Sequence, residues 1–320
     1  MRRFFLTGVS GFVGSALANT MHEKGYVIRG GVRAISESIP IFVDQYAYGN
    51  ITPETKWEAA LNRVDTVIHL AARVHIMQDT ANDPLTEFRR INSDSTLNLA
   101  RQAAKFGVKR FIYLSSIKVN GETTLPGIPF TEDDKHIPVD PYAISKYEAE
   151  QNLLELAKQT NMEVVIIRPP LVYGPRVKAN FLSMMKWLYI GVPLPFGSIH
   201  NKRSLVALDN LVDLIVTCIE HPAAANEVFL VSDGEDLSTT DLLSRVATAL
   251  GKKSRLMPIN QQLLEIVLKL IGKNDLGQRL CGSLQVDISK AKKLLNWTPL
   301  ISVDEGIHKT AKYFLESKSA

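Results

Sequence analysis

Several features are scarce in this sequence, and each absence excludes a class of protein. No run of 18 apolar residues occurs, so we expect no segment that inserts into a membrane. The two cysteines, Cys218 and Cys281, lie far apart without a CxxC motif, which favours a reducing, cytoplasmic compartment and argues against a metal site. Lysine and arginine form no block and the net charge is only +4, so no nucleic-acid partner is expected.

Three glycines at every third position dominate the start of the chain. Residues 4–6 have strand character, and Gly8, Gly11 and Gly14 then lead into a helical pattern that ends at Gly25. A strand, a glycine turn and a helix put unpaired N–H groups and the positive end of the helix dipole at one point, which binds phosphate. We expect Gly8 to make the turn, Gly11 to leave room for a pyrophosphate and Gly14 to let the helix pack closely.

A secretory signal is the alternative interpretation of the same stretch. Arg2 and Arg3 precede the apolar run, and small residues follow at 16–18. This alternative is disfavoured because a signal core does not need three glycines in strict register.

The second strand, residues 26–33, ends without the carboxylate that usually binds the adenosine ribose of NAD. It ends instead at Arg33, whose planar guanidinium group matches the geometry of a 2′-phosphate. The alternative interpretation is that Arg33 is an ordinary surface arginine. Residues 34–48 are expected to be irregular, and a short helix is expected over residues 55–61. Asn50, with Ile51 beside it, is then a candidate for hydrogen bonding to adenine.

Small residues follow the next predicted strand, residues 64–70. The sequence continues as Ala71, Ala72 and Arg73. Small residues at the carboxyl end of a parallel strand leave space for a cofactor. We therefore assign Leu70 to Arg73 to the cofactor site.

A serine pair and a Tyr-x-x-x-Lys motif mark the expected site of chemistry. A predicted helix at residues 88–104 precedes a predicted strand at 110–114, and Ser115 and Ser116 follow directly after that strand. Residues 119–136 are expected to form a substrate-facing flap. Tyr142 and Lys146 lie four apart in the next helix and so share one face. An ammonium within about 4 to 6 Å lowers the pKa of a phenol, which makes it a usable proton carrier. The motif alone also occurs by chance on surface helices.

The chain alternates strand and helix up to a strand at residues 164–168, and the alternation then breaks down. Later helical patterns and one short strand, at 227–231, suggest a smaller lobe, with the helices predicted at 181–189, 210–220, 239–250, 261–271 and 304–314. The expected fold is α/β, a Rossmann-type doubly wound parallel sheet with a smaller C-terminal α/β substrate lobe. We expect residues 1–178 to form the dinucleotide-binding domain, with a later return of the chain, and residues 179–320 to form the substrate lobe.

Together these motifs resemble the extended short-chain dehydrogenase/reductases of the epimerase/dehydratase type, which act on nucleotide sugars. The likeness covers essentially the whole chain, and it is carried by Thr7-Gly8-x-x-Gly11-Phe12-Val13-Gly14, Leu70-Ala71-Ala72-Arg73 with its continuation to His75, Ser115-Ser116, Tyr142-x-x-x-Lys146, and Arg168-Pro169-Pro170-Leu171-Val172-Tyr173-Gly174.

The resemblance implies a role for each matching residue. Ser116, five residues before Gly121, would polarise the sugar oxygen, Tyr142 would move its proton and Lys146 would tune Tyr142. The residues assigned to the cofactor are Gly8, Gly11, Phe12, Val13, Gly14, Arg33, Asn50, Ile51, Leu70, Ala71, Ala72, Arg73, Asn92, Tyr142, Lys146 and Pro169. Asn92 would also order the active-site backbone. The residues assigned to the substrate are Ser116, Lys118, Asn180 and Arg203, of which Asn180 and Arg203 would bind the diphosphate.

Departures from the family pattern narrow the range of reactions that we expect. The Asp-Glu pair of the dehydratases is replaced by Ile117 and Lys118, so dehydration is disfavoured, and Asn120 stands where a tyrosine is usual. The loop after Ser116 resembles bacterial 4-ketoreductases that make UDP-N-acetylquinovosamine or its C4 epimer for O-antigen or capsule, a branch also labelled UDP-glucose 4-epimerase.

Three hypotheses follow. The first is an NADP(H)-dependent 4-ketoreductase of a UDP-4-keto-6-deoxy-N-acetylhexosamine. The second is a UDP-glucose or UDP-N-acetylglucosamine 4-epimerase with tightly bound NAD. The third, a cofactor-sensing binding protein, is disfavoured because Ser116, Tyr142 and Lys146 are all present. A UDP-sugar is the expected partner, and the resemblance also implies a homodimer formed through two helices of the cofactor domain.

Overall fold

The computed structural model describes residues 2–74, 83–125, 127–134, 136–270, 272 and 274–319. His75 at the end of the Leu70 run, Pro126 and Lys135 in the predicted flap, and Ile271 at the end of a predicted helix lie outside these residues. Within them, no helix combines the length and the apolar character needed to cross a membrane.

Within the described residues, ten strands form two sheets. Their bounds are β1 Arg3–Thr7, β2 Val27–Val32, β3 Val43–Ala47, β4 Thr66–His69, β5 Arg110–Leu114, β6 Glu163–Arg168, β7 Leu171–Tyr173, β8 Arg203–Ala207, β9 Val228–Leu230 and β10 Asp236–Leu237. Seven of them form a parallel sheet in the order β3-β2-β1-β4-β5-β6-β9, and the other three form a small sheet in the order β10-β8-β7.

In the part of the chain that the structure describes, twelve α-helices surround the sheets. Their bounds are α1 Phe12–Glu23, α2 Glu58–Leu61, α3 Pro84–Phe88, α4 Ser95–Lys105, α5 Pro141–Gln159, α6 Ala179–Ile190, α7 Leu208–Glu220, α8 Thr239–Ala249, α9 Gln261–Leu270, α10 Asn274–Cys281, α11 Ser289–Leu295 and α12 Val303–Ser319. Short 3₁₀ turns occupy Ile117–Val119 and Pro222–Ala224.

The large sheet is buried on both faces because its strands are apolar on both sides. In β6, Val165 and Ile167 join the core cluster that contains α1 and α7, whereas Val164 and Ile166 join the cluster that contains α4 and α5. Such continuous apolar strands are typical of a parallel sheet between two layers of helices. The predicted Rossmann-type α/β fold is confirmed.

After the small sheet begins, the chain goes back to the large one. α7 packs in the same core cluster as α1, and β9 pairs with β6 at the edge of the large sheet. A third core cluster joins the small sheet to α6, α8 and α12. The division of the chain into two domains at residue 178 stays a prediction.

Two local predictions were wrong. The stretch expected to be irregular contains β3, which pairs with β2 along the sheet edge. Of its five residues only Val43 is buried, so the strand lacks the apolar alternation that would have marked it in the sequence. The helix predicted from Thr55 starts at Glu58 instead.

The helix predicted over residues 88–104 is interrupted by a π-helical turn at Arg89–Asp94. Here the N–H of Ser95 donates to the carbonyl of Arg90, five residues back, and the Ser95 hydroxyl donates to the same carbonyl over 2.6 Å. Turns of this kind occur mostly as single insertions in α-helices, often at functional sites. This turn contains Asn92.

A buried ion pair joins β6 to α5. The Arg168 guanidinium donates to both carboxylate oxygens of Glu150, with its shortest contact, Nη2 to Oε2, at 2.6 Å, and its Nη1 donates to Asn120 Oδ1 over 3.0 Å. The side chains of Arg168 and Glu150 are 8% and 0% exposed. Asn120, which stands where the family usually has a tyrosine, is thus a ligand of this arginine.

Breaking this pair on one side should destabilise the fold more than removing both charges. We expect Glu150→Leu to lower the free energy of unfolding by about 3 to 5 kcal/mol, because Arg168 would remain buried and uncompensated. The double variant Glu150→Leu with Arg168→Met should recover most of that loss. Urea denaturation measures both, with Glu155→Gln, which breaks the exposed pair to Lys158, as the control without measurable effect. Equal losses in the single and double variants would contradict the expectation.

Candidate active site

The glycine turn between β1 and α1 has the geometry that a dinucleotide pyrophosphate needs. Gly8 has a φ of +71°, a conformation that favours glycine, and the Gly11 N–H donates to the Gly8 carbonyl over 2.9 Å. A Cβ on Gly14 would lie 2.1 Å from the Gly8 oxygen, so only glycine permits this approach of helix and turn. No side chain caps α1, which leaves the first N–H groups, including those of Phe12 and Val13, available to an anion.

The segment after β4 lies directly against this turn. A Cβ on Gly8 would meet the backbone nitrogen of Ala71 at 2.9 Å, and the Ala71 N–H donates to Thr7 Oγ1 over 3.2 Å. Leu70, Ala71, Ala72 and Arg73 are all half-buried. The structure therefore brings the two predicted cofactor segments together at the carboxyl ends of β1 and β4.

The predicted adenosine residues lie at the carboxyl ends of β2 and β3. Arg33 is exposed directly after β2, and its carbonyl accepts a hydrogen bond from the Gly49 N–H over 3.1 Å. Asn50 is also exposed, while Ile51 packs against the core cluster under the sheet. Arg33 and Asn50 thus lie near each other, just beyond the ends of two adjacent strands.

Ser116 and Tyr142 meet at the end of β5. Their side chains hydrogen bond, and this contact lowers the pKa of the Tyr142 phenol. Ser115 points elsewhere: its hydroxyl is buried and has no hydrogen-bond partner among the described residues. The choice of Ser116 over Ser115 therefore agrees with the geometry.

The expected lowering of the Tyr142 pKa is wrong for the chain alone. Loss of solvent around the half-buried ring, opposed by the hydrogen bond from Ser116 and aided by the negative charge of Asp140, raises the pKa of Tyr142 to about 12. Burial also lowers the pKa of Lys146 to about 7, against the opposing charge of Glu150. Lys146 is therefore only partly charged at neutral pH, which weakens the effect that the sequence suggested.

Lys146 is held by the backbone of β5. Its Nζ donates to the Leu114 carbonyl over 2.8 Å and lies 4.4 Å from the centre of the Tyr113 ring. The side chain is 2% exposed. Because both contacts come from the strand that ends at the serine pair, Lys146 is fixed next to the site rather than free in solvent.

Asn92 orders the backbone at the end of β4. Its Oδ1 accepts from the Arg73 N–H over 2.8 Å, and its Nδ2 donates to the Arg73 carbonyl and to Ser145 Oγ, each over 3.0 Å. These contacts engage its oxygen and both amide hydrogens with protein atoms. Asn92 is thus placed to hold the cofactor segment, as expected, rather than to contact the cofactor itself. Ser145, which links it to α5, was missed from the sequence.

His69 is a second buried polar residue that sequence reasoning missed. Its Nδ1 lies 2.7 Å from Thr7 Oγ1, and its Nε2 lies 2.9 Å from Thr96 Oγ1. Burial, with the charge of Lys146, lowers the pKa of His69 to about 3, so the ring is neutral at pH 7. It ties the end of β4 to the glycine turn. A histidine inside an apolar strand was the available signal.

Lys118 makes ion pairs with acidic neighbours. Its Nζ lies 3.3 Å from Glu122 Oε1 and 3.6 Å from Asp140 Oδ2. Asp140 caps α5 by accepting from the Ala143 N–H over 3.0 Å. Lys118 therefore lies beside the carboxylate that raises the pKa of Tyr142, and it partly offsets that charge.

Pro169 and the predicted flap connect the site to the small lobe. The Pro169 carbonyl accepts from the Ile117 N–H over 3.0 Å, which fixes the 3₁₀ turn after Ser116. In the described part of the flap, the Thr124 N–H donates to Ser283 and the Phe130 N–H donates to Gln285, both over 2.8 Å. The flap is therefore paired with the segment that follows α10.

Two arginines, Arg203 and Arg279, lie near enough to affect each other electrostatically. Arg203 is half-buried at the start of β8 and donates from Nη1 to the Gly282 carbonyl over 3.0 Å. Burial, and next the charge of Arg279 on α10, lower its pKa. Among the described residues no carboxylate forms an ion pair with Arg203 or with Arg279, so neither positive charge is compensated by an acidic side chain. Arg279 was missed because nothing in its local sequence distinguishes it from a surface arginine.

Asn180, the other predicted diphosphate ligand, lies exposed in the first turn of α6. Within the described chain no hydrogen bond joins it to Arg203. Its assignment to the substrate stays a prediction.

Comparison with known proteins identifies the family of this chain. Residues 4–232 match the model of the NAD dependent epimerase/dehydratase family. Over 321 residues, 99% of this chain and 97% of the relative, the chain is 49% identical to the UDP-glucose 4-epimerase of Vibrio cholerae.

Solved structures share the fold. The UDP-glucose 4-epimerase of Thermotoga maritima, solved with UDP-glucose, superposes with a TM-score of 0.79 at 24% identity, covering 99% of each chain. The UDP-glucuronic acid 4-epimerase of Bacillus cereus, solved with NAD, has a TM-score of 0.79 at 21% identity and covers 98% of this chain and 99% of its own. This chain is therefore an enzyme of the NAD dependent epimerase/dehydratase family, which acts on nucleotide sugars.

Proposed function

We propose that this protein is a UDP-hexose 4-epimerase that keeps one NAD bound through many turnovers. One observation carries the proposal. Ser116 and Tyr142 lie together at the end of β5, and the buried Lys146 lies beside them. The similarity to the Vibrio cholerae enzyme favours the epimerase over the ketoreductase that the loop after Ser116 suggested.

Tyr142 is the proposed proton carrier at the C4 hydroxyl of the sugar. A nicotinamide cofactor, when bound, supplies the acceptor and donor of the C4 hydride. Tyr142 takes the hydroxyl proton as the C4 carbonyl forms and returns it when the carbonyl is reduced on either face. Ser116, which already hydrogen bonds to Tyr142, donates to the same sugar oxygen and stabilises the charge that develops there.

The charge around Tyr142 determines whether its phenol is protonated or is a phenolate that can accept a proton. Its raised pKa keeps the phenol protonated in the free chain at neutral pH. Positive charge near the site favours the phenolate, and Lys146 supplies part of it in its protonated form. Lys118 contributes by pairing with Asp140, whose unscreened charge would oppose deprotonation.

Arg203 and Arg279 are the proposed diphosphate ligands. They lie on two different elements, β8 and α10, and are near enough for the charge of one to affect the pKa of the other. A nucleotide diphosphate carries two phosphate groups, so each of the two guanidinium groups can bind one phosphate.

A second candidate is an NADPH-dependent 4-ketoreductase of a UDP-4-keto-6-deoxy-N-acetylhexosamine in surface polysaccharide synthesis. The observation that favours it is Arg33, exposed at the end of β2 with no carboxylate directly beside it. A reductase must release oxidised cofactor after each turnover, and a fork at this position suits the 2′-phosphate of NADP.

Loss of the phenol proton should stop turnover. We expect Tyr142→Phe to lower kcat by about 10²- to 10⁴-fold, as is typical of a general acid–base group, while binding of the nucleotide sugar stays nearly intact. Turnover and equilibrium binding of UDP-glucose measure the two effects. The control is Tyr147→Phe, which makes the same change at the residue after Lys146 and should leave turnover normal. A loss of less than tenfold in Tyr142→Phe would refute the assignment.

Loss of either arginine should weaken ground-state binding. Arg203→Ala and Arg279→Ala are each expected to raise KM by about 10- to 150-fold, the equivalent of a charge-assisted hydrogen bond of roughly 1.5 to 3 kcal/mol, with a smaller effect on kcat. Steady-state kinetics measures the split, and Lys202→Ala, an exposed neighbour of Arg203, is the control. If KM is unchanged, the arginine is merely structural.

The cofactor requirement separates the two candidates. We expect the purified enzyme to interconvert UDP-N-acetylglucosamine or UDP-glucose with its C4 epimer without added cofactor, and Arg33→Ala to leave that rate unchanged. The parallel measurement is turnover of a UDP-4-keto-6-deoxy sugar with NADPH and with NADH. Reduction that prefers NADPH by about tenfold or more, and loses that preference in Arg33→Ala, would establish the ketoreductase instead.

A further inference from the structure

Two long segments of this chain contain no carboxylate, and they lie side by side. Residues 164–208 and residues 242–264 include no aspartate or glutamate. They meet where the Leu194 N–H donates to the Arg255 carbonyl over 2.9 Å and the Met257 N–H donates to the Leu194 carbonyl over 2.8 Å. These two neighbouring segments therefore contribute only positive charge.

Large apolar side chains are exposed where these segments meet. Trp187 and Ile190, one turn apart near the end of α6, are 49% and 67% exposed. Val192, just after the helix, and Met257, beside Leu194, are 37% and 44% exposed. We call these four residues the α6 patch. Trp187 and Ile190 project from one face of the helix because they are three residues apart.

Cations surround the end of α6. Lys252 and Lys318 lie 4.7 and 4.8 Å from the centre of the Tyr189 ring, and Arg255 Nη1 lies 3.5 Å from the Gly191 carbonyl. None of these three side chains forms an ion pair with a carboxylate in the described residues. Lysine and arginine stems can lie along apolar surface while their charged ends reach a polar layer.

A second exposed apolar stripe follows along the chain. In α9, Leu263, Ile266, Val267 and Leu270 are all exposed, and their spacing puts them on one helix face. The opposite face of α9 is buried against Ile199 and Cys281. α9 begins only four residues after Met257, so the stripe follows the α6 patch closely along the chain.

We propose that the α6 patch, extended by α9, docks on the surface of an anionic phospholipid bilayer. Exposed tryptophan and aliphatic side chains insert at the boundary between headgroups and acyl chains, and the surrounding cations bind anionic headgroups. Peripheral docking of this kind needs no membrane-spanning helix.

The charge of the patch favours a bilayer over a second copy of the chain. In a symmetric dimer built on this surface, the patch would meet its own copy, which would bring Lys252, Arg255 and Lys318, none of them paired with a carboxylate in the described residues, close to the same cations of the partner. An anionic bilayer instead supplies both an apolar layer and negative charge to this face.

Vesicle binding tests the proposal without depending on turnover. The full protein is sedimented with vesicles of phosphatidylcholine alone and of phosphatidylcholine with phosphatidylglycerol. We expect binding to the anionic vesicles only, and weaker binding at high salt. Lys252→Gln with Arg255→Gln should lower the partition coefficient by about 25-fold, at roughly fivefold for each cation, while Lys24→Gln with Lys105→Gln, at exposed sites elsewhere, should not change it.

Apolar variants test the inserted surface separately. Trp187→Ser with Ile190→Ser should abolish vesicle binding, whereas Ile41→Ser, at a fully exposed site far along the chain, should leave it intact. Unchanged turnover of the free nucleotide sugar and an unchanged unfolding temperature verify the fold of each variant. Three results would each overturn the proposal. The first is failure of the wild-type protein to bind anionic vesicles, and the second is equal binding by the charge variant. The third is a change from dimer to monomer in the Trp187 variant when the wild type does not bind vesicles.

Discussion

The approach of Gly14 to the Gly8 carbonyl is the constraint on which the rest of this structure depends. A side chain at position 14 would push α1 away from β1, since the Gly8 oxygen lies where its Cβ would be. That displacement would move the N–H groups at the start of α1 away from the sheet edge, and it would also disturb Ala71, which lies against Gly8. The phosphate site, the cofactor segment after β4 and the packing of α1 on the sheet are therefore one geometric unit.

Charge in the interior is shared between structure and chemistry. Glu150 holds the buried guanidinium of Arg168, and its negative charge also raises the pKa of Lys146 against the effect of burial. Arg168 in turn binds Asn120, whose Nδ2 donates to the Thr131 carbonyl over 2.6 Å in the flap. One ion pair thus connects the lysine of the site, the end of β6 and the loop of residues 119–136.

Sequence patterns predicted the parts of the molecule whose physics is local. β5 was predicted with its observed bounds because Arg110–Leu114 is a short apolar run between polar segments, and the glycine turn was recognised because only glycine suits that geometry. β3 was missed because an edge strand with one buried residue has no apolar alternation. Arg279 and the pKa of Tyr142 could not be inferred because both depend on side chains that come together only in the folded chain.

The π-helical turn between α3 and α4 amounts to one additional residue in an otherwise continuous helical rod. Each residue of an α-helix advances the side chains by about 100° around the axis, so the extra residue rotates one half of the rod relative to the other by that angle. On one side of the turn, Phe88 meets the Tyr142 ring edge-on at 6.0 Å, and on the other side Leu99 packs against the sheet. Deleting that residue would leave a regular helix with a single orientation, in which either Phe88 would turn away from the active site or Leu99 would turn out of the core.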